Sequence, residues 1–154
     1  MKKITLSLLF ITALCFASQA QKTIGAGFAY GSEIESLGIG VNAEFDINSD
    51  IDISPSFIYY FKKNNVSWWE LNGNVNYIFS DNGPTIYGIA GLNITTVKVD
   101  VGPFGNISSS EFGLNLGVGA NFAQSGSVRP FAEAKYVLSN FDQLSLFGGV
   151  RFPF

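Results

Sequence analysis

A strict two-residue alternation is the feature that most constrains this chain. From residue 37 to 47 the odd positions are Leu37, Ile39, Val41, Ala43, Phe45 and Ile47, and the even ones are Gly38, Gly40, Asn42, Glu44 and Asp46. Successive side chains of a strand point to opposite faces, so this is a strand with one apolar and one polar face. Segment 67–79 repeats the pattern, setting Trp69, Leu71, Val75, Tyr77 and Phe79 against Glu70, Asn72, Asn74 and Asn76. Segment 111–122 sets Phe112, Leu114, Leu116, Val118, Ala120 and Phe122 against Glu111, Gly113, Asn115, Gly117, Gly119 and Asn121.

Five further segments alternate less cleanly. Strand 23–30 points Ile24, Ala26, Phe28 and Tyr30 one way, and strand 51–62 does the same with Ile51, Ile53, Phe57, Tyr59 and Phe61, interrupted by Pro55. Segment 85–96 fits either phase, and Ile86, Ala90, Leu92 and Ile94 are taken as its apolar set. Segment 129–138 offers Ala132, Ala134, Tyr136 and Leu138 against Glu133 and Lys135, and 143–154 offers Leu144, Leu146, Val150, Phe152 and Phe154. The chain therefore reads as eight strands.

Where those apolar faces go is decided by charge. Charged residues make up 14% of the chain, against about 25% in soluble domains. Residues 1–20 read as a secretory signal peptide, with Lys2 and Lys3 at its start, an apolar stretch from Ile4 to Phe16, and Ser18-Gln19-Ala20 before the cleavage point. Beyond it no apolar run approaches the roughly 20 residues of a membrane helix. A membrane chain without such helices has a closed barrel as its remaining option. The competing fold is a secreted soluble β-sandwich or lipocalin-like barrel, which also alternates. Its exposed face would carry Lys, Glu, Asp and Thr, whereas the polar face here is Gly, Asn and Ser with an occasional acid. Small polar residues suit the crowded interior of a narrow barrel. The expected fold is an eight-stranded antiparallel up-and-down transmembrane β-barrel over residues 21–154, a single domain.

The links support this. Asn48-Ser49-Asp50, 80–84 and 124–127 are short and turn-like, while 31–36, 63–66, 97–110 and 139–142 form the other set and include the longest loop. With the N-terminus in the periplasm, short turns lie inside and longer loops outside. Tyr30, Trp69, Phe79, Phe112, Phe122 and Phe154 stand near strand ends, where interfacial aromatic girdles belong.

Phe152-Pro153-Phe154 at the end of an alternating strand resembles the signal read by the outer-membrane assembly machinery, which makes Phe152 and Phe154 its candidate residues. The segments Tyr87-Gly88-Ile89-Ala90-Gly91-Leu92 and Pro130 to Tyr136 are similar to strands of the small outer-membrane β-barrel (porin-like) family of Gram-negative bacteria, and the resemblance covers residues 21–154. It implies a bacterial outer-membrane location, with outer-membrane lipid and the assembly machinery as partners. It implies no single activity.

The chain has no histidine. That removes imidazole acid–base chemistry and imidazole metal ligation, and the lipid-modifying small barrels resemble arrangements built around a catalytic His. Cys15 is the only cysteine and lies within the signal segment; bulky Leu14 before it is a poor lead-in for lipidation. Zinc and iron–sulfur sites therefore lack their usual ligands, and no cofactor is expected. Without Lys2 and Lys3 the 9 basic residues fall to 7 against 12 acids, which argues against nucleic acid as a partner. Gly38 to Ala43 formally matches a dinucleotide fingerprint, but that motif needs a turn and a helix start, and these glycines lie inside a strand. Gly25/Gly27 and Gly117/Gly119 read likewise as small residues facing a tight interior.

One constellation remains. Strand phase directs Glu44, Asp46, Asp52, Glu70, Glu111, Glu133, Lys135 and Arg151 into the lumen. Arg151 comes within reach of Glu44 or Asp46 in the lower half, with Lys135, Glu133, Glu111 and Glu70 higher. The favoured reading is an ion-pair and hydrogen-bond network filling a closed barrel; the alternative is a narrow acid-lined cation pathway. The expected function is that of a non-enzymatic barrel with a structural, adhesive or envelope-maintenance role. A narrow channel and, less favoured, a lipid-modifying enzyme are the alternatives. Loop 97–110 is the candidate external contact surface, although Val97, Val99 and Val101 also fit an extension of the fifth strand.

Overall fold

Alternating sequence becomes a barrel here because each strand finds an antiparallel neighbour on both sides. The computed structural model describes residues 22–80, 83–123 and 125–154. The signal-peptide reading of 1–20, with Cys15, lies outside the described residues, as do positions 81, 82 and 124 of the short links. Among the described residues eight strands run in chain order: β1 (Lys22–Gly31), β2 (Ser36–Asp46), β3 (Ile51–Lys63), β4 (Val66–Ser80), β5 (Thr85–Asp100), β6 (Asn106–Asn121), β7 (Arg129–Leu138) and β8 (Gln143–Pro153). Each pairs with the next and β8 pairs with β1, so the sheet closes. Closure leaves no open edge along the wall, which is what lets strands cross hydrocarbon.

The apolar set of every strand faces outward: Phe28, Leu37, Leu71, Leu92, Leu116 and Leu146 are exposed on the outer wall. The fifth strand adopts the phase with Ile86, Ala90 and Leu92 outside, while Tyr87, Ile89, Asn93 and Thr95 turn inward. The turns follow local chemistry. Asn64 and Asn65 join β3 to β4 with φ of 50° and 65°, the left-handed pair a two-residue hairpin requires and asparagine tolerates. Between β2 and β3 the Asn48 side chain accepts the Asp50 N–H at 2.9 Å.

Loop 97–110 is the main departure from the sequence reading. β5 continues to Asp100 and β6 begins at Asn106, so only 101–105 link them, with a short 3-10 turn at Gly102–Phe104. Val99↔Ile107, Lys98↔Ser108 and Val97↔Ser109 pair in register, and Thr96 meets Ser110 through their hydroxyls at 2.8 Å. Serine runs suggest loop, but the paired partner strand overrides that propensity. Since β7 stops at Leu138 opposite Leu114, residues 106–113 of β6 have no β7 partner. The extracellular end of the wall is thus a β3–β4–β5–β6 extension whose β6 side is a free edge.

Candidate functional site

β1 contributes almost no bulk to the lumen: its inward residues are Thr23, Gly25, Gly27, Ala29 and Gly31. The β8 residues opposite them are Pro153, Arg151, Gly149, Phe147 and Ser145. Arg151, Phe147 and Ser145 point inward, and small partners give their side chains space to cross the interior.

Arg151 organises the periplasmic half. Its Nη1 lies 2.9 Å from Glu44 Oε1 and its Nη2 lies 2.5 Å from Glu133 Oε1. Nη1 also donates to the Tyr87 hydroxyl at 3.1 Å and to Asn121 Oδ1. With its carboxamide oxygen turned toward the guanidinium, Asn42 accepts from Nε at 3.0 Å and Nη2 at 2.6 Å. The guanidinium carbon sits 3.8 Å above the Phe131 ring, and the whole residue is 0% exposed. A planar, permanently charged fork suits this combination of carboxylates, amide and aromatic face. Tyr87 donates to Glu133 at 2.9 Å, and the ring packs where a Cβ on Gly119 would stand 2.4 Å from it.

A second cluster fills the outer half. Lys135 Nζ faces Glu70 Oε2 at 3.4 Å, and Gln143 and Tyr60 both donate to Glu70 Oε1, the tyrosine at 3.4 Å. The Tyr60 and Ser145 hydroxyls lie 2.9 Å apart. On the β4–β6 wall a neutral amide network connects Asn72, Asn74, Asn93 and Asn115, with donor–acceptor distances of 2.8, 2.9 and 2.7 Å, and Thr95 donates to Asn93 at 2.7 Å. Phe131 and Phe147 meet edge to face at 5.0 Å within the interior. At the extracellular mouth Trp68 packs against Phe141 at 5.6 Å, with Ile34 and Val97 beside them, closing the lumen with apolar bulk.

The sequence-derived set divides accordingly. Glu44, Glu133 and Arg151 come together, and Glu70 with Lys135 forms the other pair. Glu133 therefore belongs to the lower cluster and not to the upper one. Asp52 is buried beside Asp46, its cross-strand partner, and Asp46 is only half-buried at the strand end. Glu111 stands at the rim, accepting from Asn140 at 3.0 Å, outside both clusters. Phe152 and Phe154 face outward, and the Phe154 N–H donates to the Lys22 carbonyl at 2.9 Å. Sequence reasoning missed the inward Ile58, Tyr60, Trp68, Tyr87, Phe131 and Phe147. Their signal is the adjacent large residues in Phe57-Ile58-Tyr59-Tyr60-Phe61 and Trp68-Trp69: when both phases are apolar, one must point inside.

Outside the spanning segments, Lys63 hydrogen-bonds Glu35 at 2.8 Å. That bond, and then the ammonium charge, hold the Glu35 carboxyl below its ordinary range. A carboxyl depressed in the folded state adds stability above its unfolded pKa and loses it as pH falls through the folded one.

The comparisons with known proteins agree with this architecture. No curated protein sequence matches the chain. The N-terminal β-barrel domain of Pseudomonas aeruginosa OprF superposes with a TM-score of 0.71 at 16% identity, covering 88% of this chain and 97% of that one. Neisserial surface protein A gives 0.66 at 19%, covering 89% and 98%. Ail, the attachment invasion locus protein of Yersinia pestis, solved with the heparin analogue sucrose octasulfate, gives 0.60 at 19%, covering 86% and 99%. At these identities the likeness carries the fold. The sequence model of the outer membrane protein beta-barrel domain matches residues 5–150, and the chain belongs to that family, as a protein of the bacterial outer membrane.

Proposed function

We propose that this protein is a sealed, non-enzymatic barrel whose role is structural and adhesive: a rigid outer-membrane platform that presents the free β6 edge outside the cell. The packing of the interior carries the reading. Arg151 and Glu70 are 0% exposed and Lys135 is 2% exposed, so both interior cations and the acid at the centre of the outer cluster are shut off from water. An eight-stranded barrel is just wide enough for its own side chains, and the apolar mouth adds a second closure. Glu44, Glu70 and Glu133 are engaged by Arg151 and Lys135 instead of lining an aqueous route.

The outer end of β6 supports the adhesive half. Its free edge, Asn106-Ile107-Ser108-Ser109-Ser110, carries no lysine, proline or bulge, the usual guards against strand pairing. An extended segment of a partner adds to such an edge through main-chain hydrogen bonds.

Two measurements test the proposal. Refolded protein in planar bilayers is expected to give no resolved conductance steps; steps that shrink in Glu70→Gln would overturn the sealed barrel. Cells expressing a variant with residues 99–107 replaced by a two-residue turn should lose autoaggregation while the barrel still shows its heat-dependent gel shift. Unchanged autoaggregation would remove the adhesive role.

A further inference from the structure

The cations of the described residues are unevenly placed. Arg151 and Lys135 are inside, Lys22 and Arg129 lie at the periplasmic end, and Lys62, Lys63 and Lys98 all lie at the extracellular ends of β3 and β5. The rest of that rim carries acids: Glu33, Glu35, Glu111 and Asp142. Positive charge at the outer leaflet is therefore confined to one sector. Within it Lys63 is committed to Glu35, and Lys62 lies 2.8 Å from Asp100. Lys98 is exposed and has no hydrogen-bond or ion-pair partner among the described residues.

The register around Lys98 is specific. Its cross-strand neighbours are Ser67 on β4 and Ser108 on β6, and direct cross-strand Cβ atoms lie about 5 Å apart. One step toward the membrane, Trp69 and Ser110 flank Thr96; one step further, Leu71 and Phe112 flank Ile94. Across three rows the outer wall thus passes from ammonium and hydroxyl, through a tryptophan, to hydrocarbon. Lys98 stands twelve residues beyond Ile86, the first outward residue of β5. At about 3.3 Å per residue and a tilt near 40°, that is roughly 30 Å, just past an apolar band about 25 Å tall. Lys98 is at headgroup depth.

We propose that this face of β4–β6 binds the phosphorylated headgroup of an outer-leaflet lipid, with Lys98 on the phosphate, Ser67 and Ser108 donating to its oxygens, and the acyl chains lying along Leu71, Ile94 and Phe112. Charge complementarity selects the occupant. The outer leaflet offers phosphate at this depth, and an ammonium flanked by hydroxyls supplies a point charge and hydrogen-bond donors. Asp100 opposes it by occupying Lys62. The assignment stands whether or not the lumen conducts or the β6 edge adheres.

The test uses the whole refolded barrel in phosphatidylcholine nanodiscs doped with bis-phosphorylated lipid A or its dephosphorylated form, with retained lipid counted by native mass spectrometry. Charged hydrogen bonds of this kind imply a preference of about tenfold or more for the phosphorylated lipid. Lys98→Ala should abolish that preference, Ser67→Ala with Ser108→Ala should reduce it, and Lys22→Ala at the opposite end should leave it intact. Asp100→Asn should increase it by freeing Lys62. The heat-dependent gel shift reports folding of every variant. Equal retention of the two lipids, or a preference that survives Lys98→Ala, would overturn the proposal. So would tighter capture of a soluble sulfated polysaccharide by the same lysines without lipid preference.

Discussion

Arg151→Ala is expected to be the most damaging single change in the barrel interior, with a loss of about 3–5 kcal/mol in unfolding free energy, the range for breaking a buried ion pair from one side. The substitution removes the shared partner of Glu44, Glu133, Tyr87 and Asn121. Two buried carboxylates would then face each other's charge without the guanidinium that pairs with both. The damage comes from the groups left behind, so Arg151→Met combined with Glu44→Gln and Glu133→Gln should recover more than half of it. Urea titration in lipid vesicles, followed through Trp68 and Trp69 fluorescence, measures both variants. An Arg151→Ala midpoint close to the parent would show that the guanidinium merely fills space.

The second large effect is steric. A Cβ on Gly149 would lie 2.1 Å from the Ala26 carbonyl oxygen and 2.6 Å from the Gly27 Cα. Both obstacles are backbone atoms at the closing β1–β8 pair, where Gly27 and Gly149 are register partners. No side-chain rotation relieves such a clash, so Gly149→Ala should cost about 3 kcal/mol, the upper part of the overpacking range, and Gly149→Val should prevent closure. Gly73 is the control: a Cβ there meets nothing within 4 Å, and Gly73→Ala should leave the urea midpoint unchanged or raise it. Equal behaviour of the two alanine variants would contradict the close approach at the seam.

The two effects also mark how far the sequence could be read. Leu37 to Ile47 is legible because period two with a polar face has one structural solution, and burial in β2 follows it from Leu37 to Glu44. β3 is harder: Ile58 and Tyr60 interrupt the polar phase, since a sealed lumen needs apolar volume as well as hydrogen bonds. Loop 97–110 was obscured by Ser108-Ser109-Ser110, whose weak strand propensity is overridden by ladder pairing with Thr96, Val97 and Lys98. Phase identified the inward charges, but which of them meet depends on stagger between strands that period two does not encode. That is why Glu133 joins Arg151 and Glu111 joins neither cluster.

The small inner face of β1 has a consequence for how such a chain can change over generations. Side-chain volume along the closing pair is a shared quantity: Gly25 opposite Arg151, Ala29 opposite Phe147 and Gly31 opposite Ser145 divide a fixed space. A larger residue on β1 is admissible only alongside a smaller one on β8, so these positions, between 114 and 126 residues apart in the chain, should drift as matched couples. The first and last strands would then inherit their substitutions together, while the lipid-facing positions between them change one at a time.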